Sequence, residues 1–137
     1  MTPEVEAKIR DSFARQTMME TLGASLSELA PGHVVITAPV APHLQQQHGY
    51  AHAGLTFAIG DSAAGYAALS LMPEEAEVNT IEMKINLLRP GAGDRLIATG
   101  RVIRPGRRVF AVEASVMVEK EGATTEIARL IGTMIPL

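Results

Sequence analysis

The chain has 137 residues, 47% hydrophobic and 20% charged, a balance that suits one soluble globular domain with a buried core and excludes a disordered chain. A formal net charge of -3 with basic and acidic residues interspersed excludes a surface that tracks nucleic acid or an anionic membrane. The lack of cysteine excludes disulfides, a thiolate nucleophile and Cys-based zinc sites, and no metal or cofactor is expected. The start, MTPEVEAKIRDSF, has no apolar core of a secretory signal, and no apolar run approaches the length of a membrane span, so a cytoplasmic location is expected.

In chain order, residues 2 to about 19 read as a helix: Thr2 can cap it, Pro3 suits the first turn, and Val5, Ile9 and Phe13 recur at spacing four. From Gly23 to Val40 two short apolar runs flank Ala30-Pro31-Gly32, the signature of a hairpin. A polar loop follows from Ala41 to Tyr50. Residues 51–72 are too long for a strand and end at Pro73, which predicts a second, central helix. Four strand-like runs come next, punctuated by Pro90-Gly91-Ala92-Gly93, Pro105-Gly106 and Glu121-Gly122. In the third, Phe110, Val112, Ala114, Val116 and Val118 fall on one face, which is core, while Glu113 and Ser115 fall on the other. Short turns between these runs favour antiparallel pairing of successive strands, and the order of elements is α+β.

The central helix is rich in glycine and alanine: Gly54, Ala58, Gly60, Ala63, Ala64, Gly65, Ala67 and Ala68. Each glycine costs a helix about 1 kcal/mol relative to alanine, so the composition predicts a close neighbour, such as a sheet curled around the helix. Within residues 45–68 Asp61 is the only charged residue. A carboxylate in an apolar helix needs a partner or a chemical use, and a structural aspartate bonded to Ser62 or Thr80 stands against a catalytic one.

The motifs His52-Ala53-Gly54 with Asp61, then residues 79–90 (NTIEMKINLLRP), Gly100-Arg101-Val102 and Gly106-Arg107-Arg108, taken in this order and spacing, resemble the hotdog-fold acyl-CoA thioesterases of the phenylacetate-degradation (PaaI-like) type. The likeness covers roughly residues 20–135. It implies a hotdog fold, in which a curved antiparallel sheet wraps a long central helix, here with an extra N-terminal helix and the whole of 1–137 as one domain. It also implies an acyl-CoA substrate and a homo-oligomer, a dimer or a tetramer, with active sites at the subunit interface. The family usually has glycine where Ala53 stands and asparagine where Gln46 stands. By family position Thr80 orients the base or the water, with Gln46 assisting, and Arg89, Arg107 and Arg108 flank the nucleotide end of CoA.

Thioester hydrolysis needs an attacking water or nucleophile and donors for the oxyanion. The first turn of a helix offers unpaired N–H groups, so Ala53 and Gly54 are candidate oxyanion donors and Asp61 the base or nucleophile. His52 either contacts the thioester or caps the helix. Gly54 and Asp61 are seven residues apart, about 10 Å along a helix, so two antiparallel copies of the helix are needed to bring both to one carbonyl. The acyl pocket is expected near Leu55, Phe57, Ala58, Tyr66 and Met83. His33, His43, His48 and His52 lack a carboxylate that would complete a metal site. Two rivals remain: a hotdog dehydratase or hydratase, which wants a His and carboxylate acting together, and a non-catalytic acyl-CoA binding module.

Overall fold

The computed structural model describes residues 1–137. Helix α1 (Pro3–Arg15) begins where expected: Thr2 Oγ1 accepts from Val5 N–H at 3.2 Å, and Val5 and Ile9 are buried. It stops earlier than the apolar spacing suggests. Gln16 takes an extended conformation (φ -76°, ψ 97°), and a separate short helix α2 (Thr17–Thr21) follows. The break re-aims the chain so that Met19 and Leu22 enter the core, and it lets the Gln16 amide reach Tyr66.

Strands β1 (Ser25–Ala30) and β2 (His33–Pro39) form the expected hairpin, with Gly32 at φ +70° in the turn after Pro31. A short 3₁₀ turn at Pro42–Leu44 interrupts the polar loop, and helix α3 (Ala53–Leu69) is the central helix. Then come β3 (Val78–Leu87), β4 (Arg95–Arg104), β5 (Phe110–Lys120) and β6 (Ala123–Pro136). All six strands form one antiparallel sheet in the order β1-β2-β4-β5-β6-β3. Among the last four strands successive pairing fails once: β3 lies on β6 and not on its successor β4. Residues 88–94 carry the chain across the end of the sheet, held there by hydrogen bonds from Leu88 N–H to Ile127 O and from Ala51 N–H to Gly91 O.

The concave face of the sheet holds α3. The core face of β5 is as its alternation predicts, with Phe110, Val112, Ala114, Val116 and Val118 all buried. From Ala63 to Leu69 every residue of α3 is buried, so the small side chains there do meet close neighbours. The tightest approach comes from the sheet: a Cβ on Gly100 of β4 would lie 2.2 Å from the Ala63 carbonyl carbon. The first half of α3 is different. Ala53, Gly54 and Phe57 are exposed, and Asp61 and Ser62 are half-buried. This leaves an open stripe at spacing four, Ala53, Phe57 and Asp61, on one side of the helix.

Candidate active site

Asp61 sits near the middle of α3 and faces the start of β3. Thr80 Oγ1 donates to Asp61 Oδ1 at 2.9 Å and lies 3.0 Å from Met134 Sδ. Burial pushes the Asp61 carboxyl above the ordinary value of 3.8, and the Thr80 hydrogen bond opposes that shift. The carboxylate opens on a cavity of about 230 Å³ whose walls include Ser12, Gln16, Ser62, Tyr66, Val78 and Thr80.

At the other end of the stripe the N-terminus of α3 meets a second cavity, of about 460 Å³, lined by Gln46, Tyr50, Ala53, Thr56, Leu88 and Arg89 among others. The two cavities share no residue. His52 caps the helix: its Nδ1 accepts from Gly54 N–H at 2.8 Å, while its carbonyl takes the Leu55 and Thr56 N–H groups. Of the two expected oxyanion donors, the Gly54 N–H is therefore occupied, and the Ala53 N–H has no acceptor in the chain. Ala53 needs no left-handed backbone, since Glu121 is the sole non-glycine residue with positive φ. An alanine in place of glycine is thus without strain.

Gln46 shares the larger cavity with Ala53, but its Oε1 is engaged by the loop, accepting from His48 N–H at 2.5 Å and Tyr50 N–H at 3.4 Å. What it still offers the cavity is its amide N–H₂. The five apolar residues expected around an acyl group do not surround one space. Tyr66 lines the Asp61 cavity, Leu55 faces a third cavity beside His43 and His52, Phe57 is exposed, and Ala58 and Met83 pack against the core.

The arginines divide in the same way as the cavities. Arg89 borders the Ala53 cavity and donates to Glu126 O at 2.8 Å. Arg107 and Arg108 are exposed in the turn after β4, next to Phe110, which pairs through Met134 with Thr80. Ten-residue β4 separates them from Arg89 by about 30 Å. No three His, Cys, Asp or Glu side chains are grouped as a metal would require, and no helix is long and apolar enough to cross a membrane.

Ser12, Gln16 and Met134 reach this site without any signal in the sequence. Each is brought in by a contact of long sequence separation, 54 residues for Ser12 with Tyr66, 50 for Gln16 with Tyr66 and 54 for Thr80 with Met134.

Residues 48–125, which hold both α3 and the Asp61–Thr80 pair, match the model of the thioesterase superfamily. A solved thioesterase family protein from Silicibacter pomeroyi superposes with a TM-score of 0.95 at 44% identity, over 97% of this chain and 98% of that one. The acyl-coenzyme A thioesterase PaaI of Escherichia coli is 29% identical over 111 residues, 80% of this chain and 76% of its own length. A protein of Halobacterium salinarum that carries an esterase name is 32% identical over 114 residues, 80% of this chain and 75% of its own. With a match over more than half its length, and the curved sheet wrapped on a central helix to go with it, the chain belongs to the thioesterase superfamily and has the hotdog fold.

Proposed function

We propose that this protein hydrolyses a small or medium acyl-CoA to the free acid and CoA, with residues 1–137 acting as one domain and two copies sharing each active site. The observation that carries the reading is the open stripe of α3. Ala53, with its unpaired N–H, and Asp61, with its raised carboxyl, lie on the same exposed side of one helix but in separate cavities. They are eight residues apart, about 12 Å, too far to serve one carbonyl within a subunit. Two copies laid antiparallel about a two-fold axis near Phe57 would bring each Ala53 opposite the other copy's Asp61. The same pairing would join the Arg89 end of one copy to the Arg107–Arg108 end of the other, forming a basic border for the CoA phosphates.

In the reaction the thioester carbonyl oxygen points at the Ala53 N–H. Asp61 either takes a proton from the attacking water or attacks the carbonyl carbon itself. The oxyanion formed is held by the N–H and the positive end of α3 and collapses as the C–S bond breaks; in the first case the CoA thiolate takes the proton that Asp61 drew from water, and in the second water then hydrolyses the acyl–Asp61 anhydride, freeing the acid, restoring the carboxylate and supplying the thiolate's proton. A CoA ester as substrate is supported by the name of the Escherichia coli relative. Hydration or dehydration is less well supported, because the His52 Nδ1 is committed to Gly54 N–H and pairs with no carboxylate.

The test is thiol release from a panel of acyl-CoAs, from short aliphatic to long-chain and aromatic, by wild type and a folded Asp61→Asn variant. Wild type is expected to release CoA from the smaller members, and the variant to lose about 100-fold or more. If wild type releases no thiol from any member while CoA esters raise its melting temperature, the chain is a binding module and Asp61 is structural.

A further inference from the structure

The cavity beside Asp61 has a second polar end that the hydrolysis does not use. Asp61, Gly65, Tyr66 and Leu69 run along one side of α3, and Ser12 and Gln16 of the N-terminal segment close the cavity over Tyr66. Tyr66 is buried. Gln16 Nε2 donates to its hydroxyl at 2.6 Å, and Ser12 Oγ lies 3.0 Å from the same oxygen. Two hydroxyl groups bring two protons, and only one can lie between them. The other has no acceptor in the chain. The side-chain amide oxygen of Gln16, Oε1, and the Ser62 hydroxyl belong to residues lining the same cavity and make no hydrogen bond within the chain either. A donor and two acceptors on buried or half-buried residues are thus free to meet a ligand in the space beside the candidate base.

We propose that Ser12, Gln16 and Tyr66 are specificity-determining residues that bind a neutral hydroxyl or carbonyl oxygen at the distal end of the acyl group. This rests on the reading of Asp61 as the group acting at the thioester. The oxygen is neutral because Asp61 and Glu77 line the same cavity and would repel a carboxylate. Length and volume limit the rest of the acyl group. Asp61 and Tyr66 are five residues apart on α3, about 7.5 Å along its axis. A space of about 230 Å³ is small beside ordinary ligand pockets of about 300–1,000 Å³, which favours a short acyl group. A six-carbon acyl chain with a terminal oxygen spans that length and suits a space of this size.

The experiment compares kcat/KM for hexanoyl-CoA and 6-hydroxyhexanoyl-CoA in wild type, Tyr66→Phe and Ser12→Ala, with Asp61→Asn as the control for the chemistry. Wild type is expected to favour the hydroxylated substrate about tenfold, and that ratio to fall towards one in both variants. Ser12 is half-buried on α1, so its variant keeps the comparison valid if the Tyr66 variant fails to fold. A wild type that hydrolyses both substrates alike, or variants that lose both together with the ratio unchanged, would overturn the proposal and leave the three residues as docking contacts. In either case a loss of turnover in Asp61→Asn shows that the hydrolase reading itself survives. Release of CoA from neither substrate, nor from any other acyl-CoA, overturns both.

Discussion

Thr80 carries one hydroxyl proton and has two acceptors in reach, Asp61 Oδ1 and Met134 Sδ. A thioether sulfur is the weaker acceptor, so the proton belongs to the carboxylate. That bond stabilises the ionised form of Asp61, while burial disfavours it by more, and the net result is a value above the ordinary 3.8. A base or nucleophile works only when ionised, so kcat/KM should rise with pH through the Asp61 value and then level. Thr80→Val removes the opposing hydrogen bond and leaves burial alone. The acid limb should then move to higher pH, and the plateau rate should fall about tenfold as the carboxylate loses its fixed orientation. A pH–rate profile decides it: an acid limb that stays in place, or moves down, means that Thr80 does not bond the ionised carboxylate in the working enzyme. Asp61 was legible in the sequence because it is one charge in an apolar helix. Its state of ionisation was not, since that depends on Thr80 and on walls supplied from α1.

At the scale of the elements, small residues serve two different ends in this fold. The run of glycine and alanine in residues 54–68 could be read directly as a helix with close neighbours, but the direction of approach could not. The closest backbone contact is made by Gly100, a residue of the sheet, where a Cβ would fall 2.2 Å from one Ala63 backbone atom and 2.4 Å from two more of Ala63 and Ala64. Gly65 of α3 has ordinary room, its nearest neighbour being Met134 Cε at 3.8 Å. Opposite outcomes follow. Gly65→Ala should stabilise the protein by about 1 kcal/mol through helix propensity. Gly100→Ala forces backbone against backbone, and should cost about 3 kcal/mol or prevent folding. Urea unfolding of both variants gives the signs, and a neutral Gly100→Ala would mean that β4 does not press on α3. The pairing of β3 with β6 was hidden for a related reason. Turn lengths speak for neighbours in sequence, whereas the long residues 88–94 crossing is held by Ile127 and Ala51, which lie far from it along the chain.

At the scale of the whole molecule, the proposed pairing of two copies has open surface on which to form. β3 is a ten-residue edge strand with one side unpaired, and Ile81, Leu87 and Leu88 in and beside it are 53%, 58% and 46% exposed. Long apolar edges of this kind are normally covered. The open stripe of α3 divides the candidate site into halves, and this makes a test by complementation possible. Ala53 is the first residue of α3, His52 before it is already extended at φ -65° and ψ 141°, and the Ala53 N–H has no acceptor. Proline fits such a position without cost to the helix, so Ala53→Pro deletes the N–H and little else. It should melt within a few degrees of wild type yet lose about 100- to 1,000-fold in turnover. Asp61→Asn should be equally inactive for a different reason. When the two variants are mixed and allowed to exchange subunits, half of the dimers become mixed, and each mixed dimer has one site with both groups intact and one with neither. Activity should therefore recover to about a quarter of wild type. A mixture as inactive as its parts, with exchange verified by mass spectrometry, would mean that Ala53 and Asp61 act within one subunit or that one of them does not act at all.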